Sequence, residues 1–534
     1  MSEREPSTLC GLFRASAEKD GARPALWVDG CSFSYAELNE SAMRLARAII
    51  DTRRNAQEGR CALLVDRTPT AYVGVLGSLM AGLVYVPLNP RLPHDRISDL
   101  VGLSESDFVL VDNRCLSVAE RILARCFRPL TVILPDCHTP PFWTSGLARH
   151  RFICRSDIES EALLEPCEPS HQVEGAYLLF TSGSTGAPKG VQIGHRNALA
   201  YIRNVSDRYR PSPDDRFSQC FDLSFDLSVH DMFLCWSAGA CLYCLPHAAK
   251  AGPRNFIREH ELTFWFSVPS TAAFMSRLHM LRPGEFPSLR WSLFCGEALP
   301  MRLAREWQRA APKSIVENLY GPTETTVAFT AYRLGDLSEA DADEHDIVPI
   351  GFPFPGQQTA LIDPAGQILA DGEIGELCLG GSQVAKGYWN LPETTTQRFA
   401  PPKGASTGVR WYRSGDLARN TSKDGLLFHG RADRQVKIRG HRIELQEIEA
   451  VIRSVAGTDM VAAVPWPLMK DGLPLGVVAL TNRRLAEASA ILEECRKRLP
   501  EYMVPSELHD VPEWPLNANG KTDYTALRSI LKTS

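Results

Sequence analysis

The stretch Tyr177-Leu-Leu-Phe-Thr-Ser-Gly-Ser-Thr-Gly-Ala-Pro-Lys-Gly-Val191 changes character after its fourth residue. The apolar run at 177–180 predicts a buried strand, and the residues after it are rich in glycine, serine and threonine and include Lys189. Glycine lets backbone N–H groups approach a ligand closely, and hydroxyl groups add further donors. A helix is expected over 195–202. A strand, a loop and a helix in this order favour a cradle for phosphate oxygens over a flexible linker.

This loop differs from two common nucleotide-binding patterns. A P-loop is excluded because Lys189 is followed by Gly190 rather than by serine or threonine. The dinucleotide-binding fingerprint does not match either. The run T-S-G-S-T-G-x-P-K-G instead resembles the signature of the adenylate-forming superfamily. That family includes acyl-CoA synthetases, luciferases and the adenylation domains of nonribosomal peptide synthetases.

Composition narrows the class of protein. The chain has 534 residues, more than one core usually contains, so two or more domains are expected. With 44% hydrophobic and 23% charged residues and a net charge of -5, it has the composition of a soluble enzyme. Charges are dispersed, so no nucleic-acid partner is predicted. The cysteines are scattered and the N-terminus has no apolar signal region, so a cytoplasmic protein is predicted. The longest apolar stretch, 72–88, is interrupted by glycines, so no membrane span is predicted.

The order of the predicted elements favours an α/β fold. Strands and helices alternate from residue 61 to about 320, which predicts mixed or parallel sheets covered by helices. Short apolar runs between glycines and prolines at about 345–430 predict a small β-barrel-like subdomain. The last hundred residues or so are expected to form a small, mobile α+β domain. The resemblance implies a hinge at Asp433. It would divide a core that binds ATP and amino acid, 1–432, from a C-terminal domain with the catalytic lysine, 433–534.

A second motif, Asn318-Leu-Tyr-Gly-Pro-Thr-Glu324, directly follows a predicted strand. Tyr320 offers a face on which a purine can stack, and Glu324 is a hard oxygen ligand suited to Mg²⁺. Taken alone, this could be any loop with an exposed acid. Together with the Lys189 loop it resembles the family's Y-G-P-T-E motif. That resemblance implies that Tyr320 flanks adenine, Asn318 contacts its edge and Glu324 holds magnesium.

A third motif is Tyr412-Arg-Ser-Gly-Asp-Leu417. Asp416 is expected on a turn after a strand, where a carboxylate can accept both hydroxyl protons of a ribose. The motif resembles the family's Y-R-T-G-D, with Ser414 in place of threonine. Arg431 would, by the same resemblance, support the nucleotide. A surface turn and a salt bridge are the alternative interpretation of Asp416 and Arg431.

A fourth motif, Asn519-Gly-Lys521, resembles the family's N-G-K, whose lysine reaches into the active site from the small domain. Asp523 keeps the usual continuation K-x-D-R, and Tyr524 departs from it. In the implied reaction a carboxylate attacks the α-phosphorus of ATP, so like charges approach. Two unit charges about 4 Å apart interact by about 4 kcal/mol at an effective dielectric of about 20. Lys521, Lys189 and Mg²⁺ on Glu324 would offset that repulsion.

The resemblance therefore implies ATP and Mg²⁺ as cofactors and Lys521, Glu324 and Lys189 as catalytic residues. The implied nucleotide-binding residues are Thr181, Ser182, Gly183, Ser184, Thr185, Gly186, Gly296, Glu297, Ala298, Asn318, Leu319, Tyr320, Gly321, Thr323, Asp416 and Arg431.

The stretch 221–231 resembles the segment that carries the amine-anchoring aspartate of amino-acid-activating members. Its F-D-x-S motif occurs twice in tandem, at Asp222 and Asp226. The run Val229-His-Asp-Met-Phe233 matches the helix that follows in the family, which favours Asp226 as the ammonium-binding residue. A desolvated carboxylate facing an ammonium contributes more than a surface pair. A plain helix-capping role for Asp226 is the alternative.

The resemblance also implies which residues of this chain line an amino-acid pocket. The implied substrate-binding residues are Asp226, Leu227, His230, Phe266, Leu293, Cys295, Gly296, Leu319, Val327, Ala328 and Lys521. Apart from His230 the lining of the side-chain pocket is apolar, so a small, neutral amino acid is predicted. The combination is similar to L-prolyl-AMP ligases, which makes L-proline the preferred substrate. The F-D-L-S-V-x-D run is also similar to D-alanine–carrier-protein ligases.

The predicted enzyme makes an aminoacyl-AMP and transfers the acyl group to the phosphopantetheine thiol of a separate peptidyl carrier protein, as in antibiotic biosynthesis. A separate carrier is expected because no carrier segment follows Lys521. Ligases that load D-alanine or a β-amino acid onto a carrier, and acyl-CoA synthetases, remain alternatives within the fold. A scaffold protein without turnover is disfavoured by the intact Lys521, Glu324 and Asp416.

Overall fold

The computed structural model describes residues 6–53, 59–160, 174–183, 188–247, 249, 252–336, 345–458, 460–469, 473–482, 488–516 and 522–533. The chain divides into two compact units. The first comprises Met1–Pro90, Ile97–Phe180 and Gly190–Gly430, and the second Arg91–Arg96, Thr181–Lys189 and Arg431–Ser534. The domain boundary expected at residue 433 stays a prediction.

The strands of the described residues are, in chain order, β1 Pro24–Val28, β2 Cys31–Ser34, β3 Gly59–Leu64, β4 Leu83–Leu88, β5 Phe108–Val111, β6 Thr131–Leu134, β7 Arg151–Cys154, β8 Gly175–Thr181, β9 Lys189–Gly194, β10 Arg216–Gln219, β11 Cys241–Cys244, β12 Phe264–Ser267, β13 Trp291–Phe294, β14 Ile315–Tyr320, β15 Thr330–Arg333, β16 Phe352–Pro353, β17 Gln358–Ile362, β18 Ile374–Gly380, β19 Gly387–Tyr388, β20 Trp411–Thr421, β21 Gly425–Arg431, β22 Gln435–Ile438, β23 His441–Glu444, β24 Val461–Pro465, β25 Val477–Thr481 and β26 Leu508–Asp510.

The α-helices of the same residues are α1 Leu9–Lys19, α2 Tyr35–Thr52, α3 Pro69–Met80, α4 His94–Leu103, α5 Leu116–Arg125, α6 Arg155–Ser160, α7 His195–Tyr209, α8 Leu227–Ser237, α9 Pro253–Glu259, α10 Pro269–Arg277, α11 Met301–Ala310, α12 Pro392–Arg398, α13 Leu445–Ala456, α14 Ala488–Arg498 and α15 Tyr524–Thr533.

Two large sheets form the first unit. One has the strand order β16-β15-β14-β13-β12-β10-β11-β1-β2, and the other β19-β9-β8-β4-β3-β5-β6-β7. In the first sheet β11, β10, β12, β13 and β14 pair in parallel, and β15 and β16 add antiparallel pairs. Apolar side chains from both sheets and from the helices around them share one large core. The predicted α/β class with mixed sheets is confirmed.

The third sheet of the first unit has the order β17-β18-β20-β21. It lies where the sequence predicts a barrel-like subdomain. In the described residues its outer strands, β17 and β21, are not neighbours, so the pairings do not close it into a barrel.

Local sequence signals near the N-terminus set the first turn and the start of the second helix. Asp29 and Gly30 both have positive φ, at 56° and 79°, and turn the hairpin between β1 and β2. The Ser34 side chain then accepts from the Glu37 backbone N–H, and Glu37 accepts in return from the Ser34 backbone N–H. This capping box fixes the start of α2 immediately after β2.

The second unit contains its own apolar clusters. Its C-terminal part has a two-stranded sheet of β22 and β23 and a three-stranded sheet ordered β24-β25-β26. Helices α13 and α14 cover one cluster of buried residues, and α15 packs on a second cluster built from the other side of β24 and β25. An α+β arrangement of this kind is what the sequence predicts for the last hundred residues.

One prediction about the glycine-rich loop is wrong. The sequence suggests that a helix follows the loop directly, but β9 lies between the loop and α7. Val191 and Ile193 alternate with less buried residues along β9 and fill one face of the sheet. The loop therefore joins two strands. The helix α7 begins at His195, after β9, so the N-terminus of α7 does not directly follow the loop.

In the part of the chain that the structure describes, no helix is long and apolar enough to cross a membrane.

Candidate functional site

The candidate amino-acid site lies at the carboxyl ends of parallel strands in the nine-stranded sheet. Phe266 of β12 pairs with Leu293 of β13, and Phe294 pairs with Asn318 of β14. Carboxyl ends of parallel strands meet at one edge, where open α/β sheets bind their ligands. The structure thus brings Phe266, Leu293, Cys295 and Leu319 to neighbouring strands or strand ends of one sheet.

A tight turn after β14 supplies the next wall. A Cβ atom on Gly321 would lie 2.7 Å from Ala328 Cα, closer than any side chain allows, so only glycine fits there. Thr326 and Val327 have φ of 63° and 68°, in the left-handed region that a β-branched residue rarely adopts. Strained backbone of this kind is characteristic of ligand-binding segments.

The buried amide of Gln383 holds this turn in place. Gln383 Nε2 donates to the carbonyl oxygen of Ala328 at 2.8 Å, and the backbone carbonyl oxygen of Gln383 accepts from Thr326 Oγ1 at 2.6 Å. Asn204 of α7 donates to Gln383 Oε1 at 3.1 Å. These bonds offset the cost of the strained backbone at Thr326 and Val327.

Glu324 lies in a short helical turn, Thr323–Thr325, and is buried. Tyr388 Oη donates to Glu324 Oε1 at 2.7 Å and lies 3.3 Å from Tyr412 Oη. Mg²⁺ at nucleotide sites is usually bound by one or two carboxylates together with phosphate oxygens. A single buried carboxylate at the mouth of the sheet fits that requirement.

A second tyrosine–carboxylate pair lies beside it. Tyr320 Oη donates to Asp416 Oδ2 at 2.5 Å, and both residues are buried. The backbone N–H of Asp416 donates to Ser414 Oγ at 3.0 Å, so the serine that replaces threonine in this motif still orients the aspartate. The predicted adenine-flanking and ribose-binding residues are therefore in direct contact.

Other predicted nucleotide-binding residues have partners of their own. Asn318 Nδ2 donates to the carbonyl oxygens of Val348 and Pro349, at 3.2 and 2.9 Å. After β13, Gly296 has a φ of +95°, and Glu297 Oε2 accepts from the Ser270 N–H at 2.9 Å. Ala298 follows Glu297 directly and is partly exposed.

The two tandem aspartates differ clearly. Asp222 Oδ1 accepts from the Ser224 N–H at 3.0 Å and from Ser224 Oγ at 2.6 Å, a local turn bond. Asp226 occupies the N-cap position of α8, but its side chain makes no capping hydrogen bond, and it is only 9% exposed. The alternative interpretation of Asp226, a helix-capping residue, requires such a bond, and α8 as described does not have it.

Two buried tyrosines of the eight-stranded sheet lie near enough to Asp226 to be affected by its charge. Tyr85 of β4 and Tyr177 of β8 are register partners, with ring centroids 5.6 Å apart. Burial first, and then the charge of Asp226, raises the pKa of both tyrosines. Neither hydroxyl has a hydrogen-bond partner among the described residues.

His230 lies one turn after Asp226 on α8, and Leu227 begins the helix between them. Tyr201 Oη of α7 lies 2.7 Å from His230 Nδ1, and the Phe266 ring centroid lies 4.7 Å from that of the imidazole. Burial lowers the pKa of His230 to about 3, so the imidazole is neutral at physiological pH.

The remaining predicted residues belong to the second unit. Arg431 makes two hydrogen bonds to the Asp433 carboxylate, at 2.6 and 2.8 Å, so the predicted nucleotide-supporting arginine and hinge aspartate form an ion pair. Ser182 Oγ donates to the Arg442 carbonyl oxygen at 2.7 Å.

Thr181 Oγ1 lies 3.5 Å from the carbonyl oxygen of Lys189, across the ends of β8 and β9, and Gly183 follows Ser182. Ser184, Thr185, Gly186 and Lys521 lie outside the described residues.

Residues 13–389 match the model of the AMP-binding enzyme family, and this chain belongs to that family. Novobiocin biosynthesis protein H from Streptomyces niveus is 32% identical over 545 residues, covering 99% of this chain and 84% of the relative. The crystal structure of the Vibrio cholerae adenylation domain AlmE, in complex with glycyl-adenosine-5'-phosphate, has a TM-score of 0.87 at 33% identity. That match covers 100% of this chain and 99% of AlmE.

Several relatives named as synthases are matched over only a small part of their length. Tyrocidine synthase 3 from Brevibacillus parabrevis is 31% identical over 527 residues, 97% of this chain but 8% of the relative. Other synthetases of this kind are likewise matched over a minor share of their length. The chain is thus similar to one segment of these proteins.

Sequence reasoning missed Tyr201, Tyr388 and Gln383. Tyr388 reaches Glu324 because β19 pairs with β9, and Gln383 lies 55 residues from its partner Ala328. Tyr201 meets His230 across two helices, 29 residues apart. These contacts depend on tertiary pairing, and no spacing within a motif predicts them.

Proposed function

We propose that this enzyme uses ATP to convert a small, neutral amino acid into an aminoacyl-AMP and then transfers the acyl group to a carrier-protein thiol. The observation that carries the proposal is the position of Asp226. Its carboxylate is almost fully buried, makes no capping bond and lies at the start of α8, beside apolar residues of the candidate pocket. A buried carboxylate favours a cationic partner, and a substrate ammonium supplies one.

In the proposed first step, a carboxylate oxygen of the amino acid attacks the α-phosphorus of ATP. The new P–O bond forms as the bond to the bridging oxygen breaks, and pyrophosphate leaves with the electron pair. Positioning and charge stabilisation are the main contributions a protein makes to such a step. Asp226 would hold the ammonium and thereby orient the attacking carboxylate, while Tyr320 would flank the adenine.

Three residues are proposed to stabilise the charge of the reacting groups. Lys521 would neutralise the attacking carboxylate and the bridging oxygen, and Lys189 would contact the departing phosphates. Mg²⁺ held by Glu324 would supply positive charge to the phosphate oxygens. Asp416 would accept the ribose hydroxyls while the hydrogen bond from Tyr320 keeps its carboxylate in orientation.

The substrate is proposed to be small and neutral. Every mapped side-chain position other than His230 is apolar, and that imidazole is uncharged, so an ionic side chain would find no counter-charge. L-Proline is the sequence prediction, and D-alanine and β-amino acids are alternatives. The glycyl-adenylate bound by AlmE supports the small end of this range.

Transfer to a separate peptidyl carrier protein with a phosphopantetheine arm completes the proposed activity. Similarity to segments of peptide synthetases and to a novobiocin biosynthesis protein supports this acceptor and a role in antibiotic biosynthesis. The α+β part of the second unit would turn about Asp433 between the two steps. The ion pair of Asp433 with Arg431 would then be one contact that the movement changes.

Amino-acid-dependent exchange of labelled pyrophosphate into ATP tests the proposal. The substrates are the proteinogenic amino acids, D-alanine, a β-amino acid, and a set of fatty and aryl acids. We expect exchange with a small neutral amino acid and none with the fatty and aryl acids. Exchange with fatty or aryl acids alone would contradict the proposal and indicate an acyl-CoA synthetase.

A further inference from the structure

The floor of the candidate amino-acid pocket is a hydrogen-bonded pair from two helices. Asp226 and His230 lie one turn apart at the start of α8, so their side chains share a face of the helix. The proposed ammonium site is at the first position, and the imidazole lies one turn further along. A substrate side chain that leaves the α-carbon towards the floor meets His230.

Tyr201 fixes the imidazole. Its hydroxyl lies 2.7 Å from His230 Nδ1, and both side chains are fully buried. The imidazole also packs on Phe266, with centroids 4.7 Å apart, and on Tyr209, at 6.1 Å. To vacate its position, His230 would break the bond to Tyr201 and leave two buried polar atoms unpaired, which proteins strongly avoid.

The side chains that line the mapped pocket are almost fully buried. The side chains at its eight pocket positions other than Asp226 and Gly296 are at most 5% exposed, and these are Leu227, His230, Phe266, Leu293, Cys295, Leu319, Val327 and Ala328. Densely packed interiors accommodate extra methylene groups only at the cost of strain.

We infer that His230, positioned by Tyr201, closes the side-chain end of the amino-acid site, so that the enzyme activates glycine in preference to larger amino acids, L-proline included. The inference rests on the proposed function and narrows its substrate to the smallest member of the class. Tyr201 is a positioning residue, because it acts through His230 and not on the substrate.

The test is pyrophosphate exchange with glycine, L-alanine, D-alanine and L-proline, in the wild type and in His230→Ala, Tyr201→Phe and Tyr209→Phe. The readout is the ratio of kcat/KM for glycine to kcat/KM for L-proline, which does not depend on the fraction of folded enzyme. Tyr209→Phe is the matched control. It removes a buried hydroxyl from the same helix, but that hydroxyl donates to Glu317 and not to His230.

In the wild type we expect glycine to exceed L-proline by at least about tenfold. His230→Ala opens the floor of the pocket and should lower that ratio by about tenfold or more. Tyr201→Phe frees the imidazole while keeping the aromatic ring, and it should lower the ratio by about threefold. The ratio for Tyr209→Phe should remain that of the wild type.

A wild-type preference for L-proline or any larger amino acid would overturn the inference and leave the proposed function intact. A ratio unchanged in His230→Ala would also overturn it. If that variant does not fold, the wild-type ratio and Tyr201→Phe still decide. The proposed function itself fails only if no amino acid supports exchange and a fatty or aryl acid does.

Discussion

The nucleotide side and the amino-acid side of the first unit use tyrosine in opposite ways. On the nucleotide side, the carboxylates of Asp416 and Glu324 each accept a hydrogen bond from a tyrosine hydroxyl. On the amino-acid side, the hydroxyls of Tyr85 and Tyr177 are buried near the charge of Asp226 without a hydrogen-bond partner among the described residues.

The difference indicates two kinds of recognition. Carboxylates that already have a donor are held in a fixed orientation, so the ligands proposed for ribose and metal are preformed. On the other side, the hydroxyl of Tyr201 pairs with the imidazole of His230. We infer that this pair limits the size of the substrate side chain. Geometry would therefore select the nucleotide, and charge and volume the amino acid.

The largest expected effect is on kcat/KM for the amino acid, and it follows from a change at Asp226. Asp226→Asn keeps the shape of the side chain but removes the charge that would bind the ammonium. Removing one partner of a buried charge pair costs about 2–5 kcal/mol, so kcat/KM for the amino acid should fall by about 30-fold to about 5,000-fold. Pyrophosphate exchange measures it, and Asp222→Asn, in the tandem copy of the motif, is the control. Equal losses in both variants would argue against an ammonium-binding role for Asp226.

The second prediction concerns the nucleotide side, where Glu324→Gln removes the proposed magnesium ligand. Loss of the proposed metal-binding charge should lower the exchange rate by about 10²-fold and raise the magnesium concentration that the reaction needs. Glu317→Gln is the control, because Glu317 is equally buried but is paired with Arg208 and Arg333. That variant should lose stability and keep its magnesium dependence. The assignment would be wrong if Glu324→Gln left the magnesium titration unchanged.

Tyr320→Phe sharpens the comparison by removing only the donor. Asp416 loses an oriented partner, so we expect the KM for ATP to rise by about tenfold and the KM for the amino acid to stay constant. Tyr332→Phe is the matched control, since Tyr332 donates to Asp424 at 3.1 Å in another buried pair of the same unit. An equal rise in the KM for ATP in both variants would indicate a general effect on folding.

The smallest effect concerns pH. The pKa of His230 is about 3 in the folded chain and about 6.5 in an unfolded one, so between these values only the unfolded state binds the proton. The free energy of unfolding therefore decreases as pH falls from 6.5 towards 3. His230→Gln should reduce this slope by up to about 1.4 kcal/mol per pH unit. Denaturant unfolding at several pH values measures it.

Phe266→Leu controls for packing in that experiment. It disturbs the same cluster but removes no titratable group, so it should lower the whole curve and keep its slope. A slope that His230→Gln leaves unchanged would contradict the assignment of a buried, neutral imidazole.

Sequence patterns predicted much of the fold because its signals are local. The positive φ of Asp29 and Gly30 and the box of Ser34 with Glu37 follow from short-range chemistry. Strand β9 was missed because its six residues begin with the lysine and glycine of the loop motif, which conceal the alternation of Val191 and Ile193.

The candidate site was predictable only as a set of residues. The motifs identified Tyr320, Asp416 and Glu324. They did not predict the hydrogen bond from Tyr320 to Asp416 or the one that Tyr388 donates to Glu324. Those contacts are set by sheet order, which brings together segments that are distant in the chain.

The Gln383 amide has a consequence for engineering. Glu324 and the pocket residues Val327 and Ala328 belong to one short turn, which Gln383 holds in place through its side-chain amide and its backbone carbonyl oxygen. A library that randomises the turn to alter substrate choice would also displace the proposed magnesium ligand and yield many inactive clones. Diversity introduced on α8 would keep the hydrogen bonds that hold the turn, whereas α7 contains Asn204, which donates to Gln383.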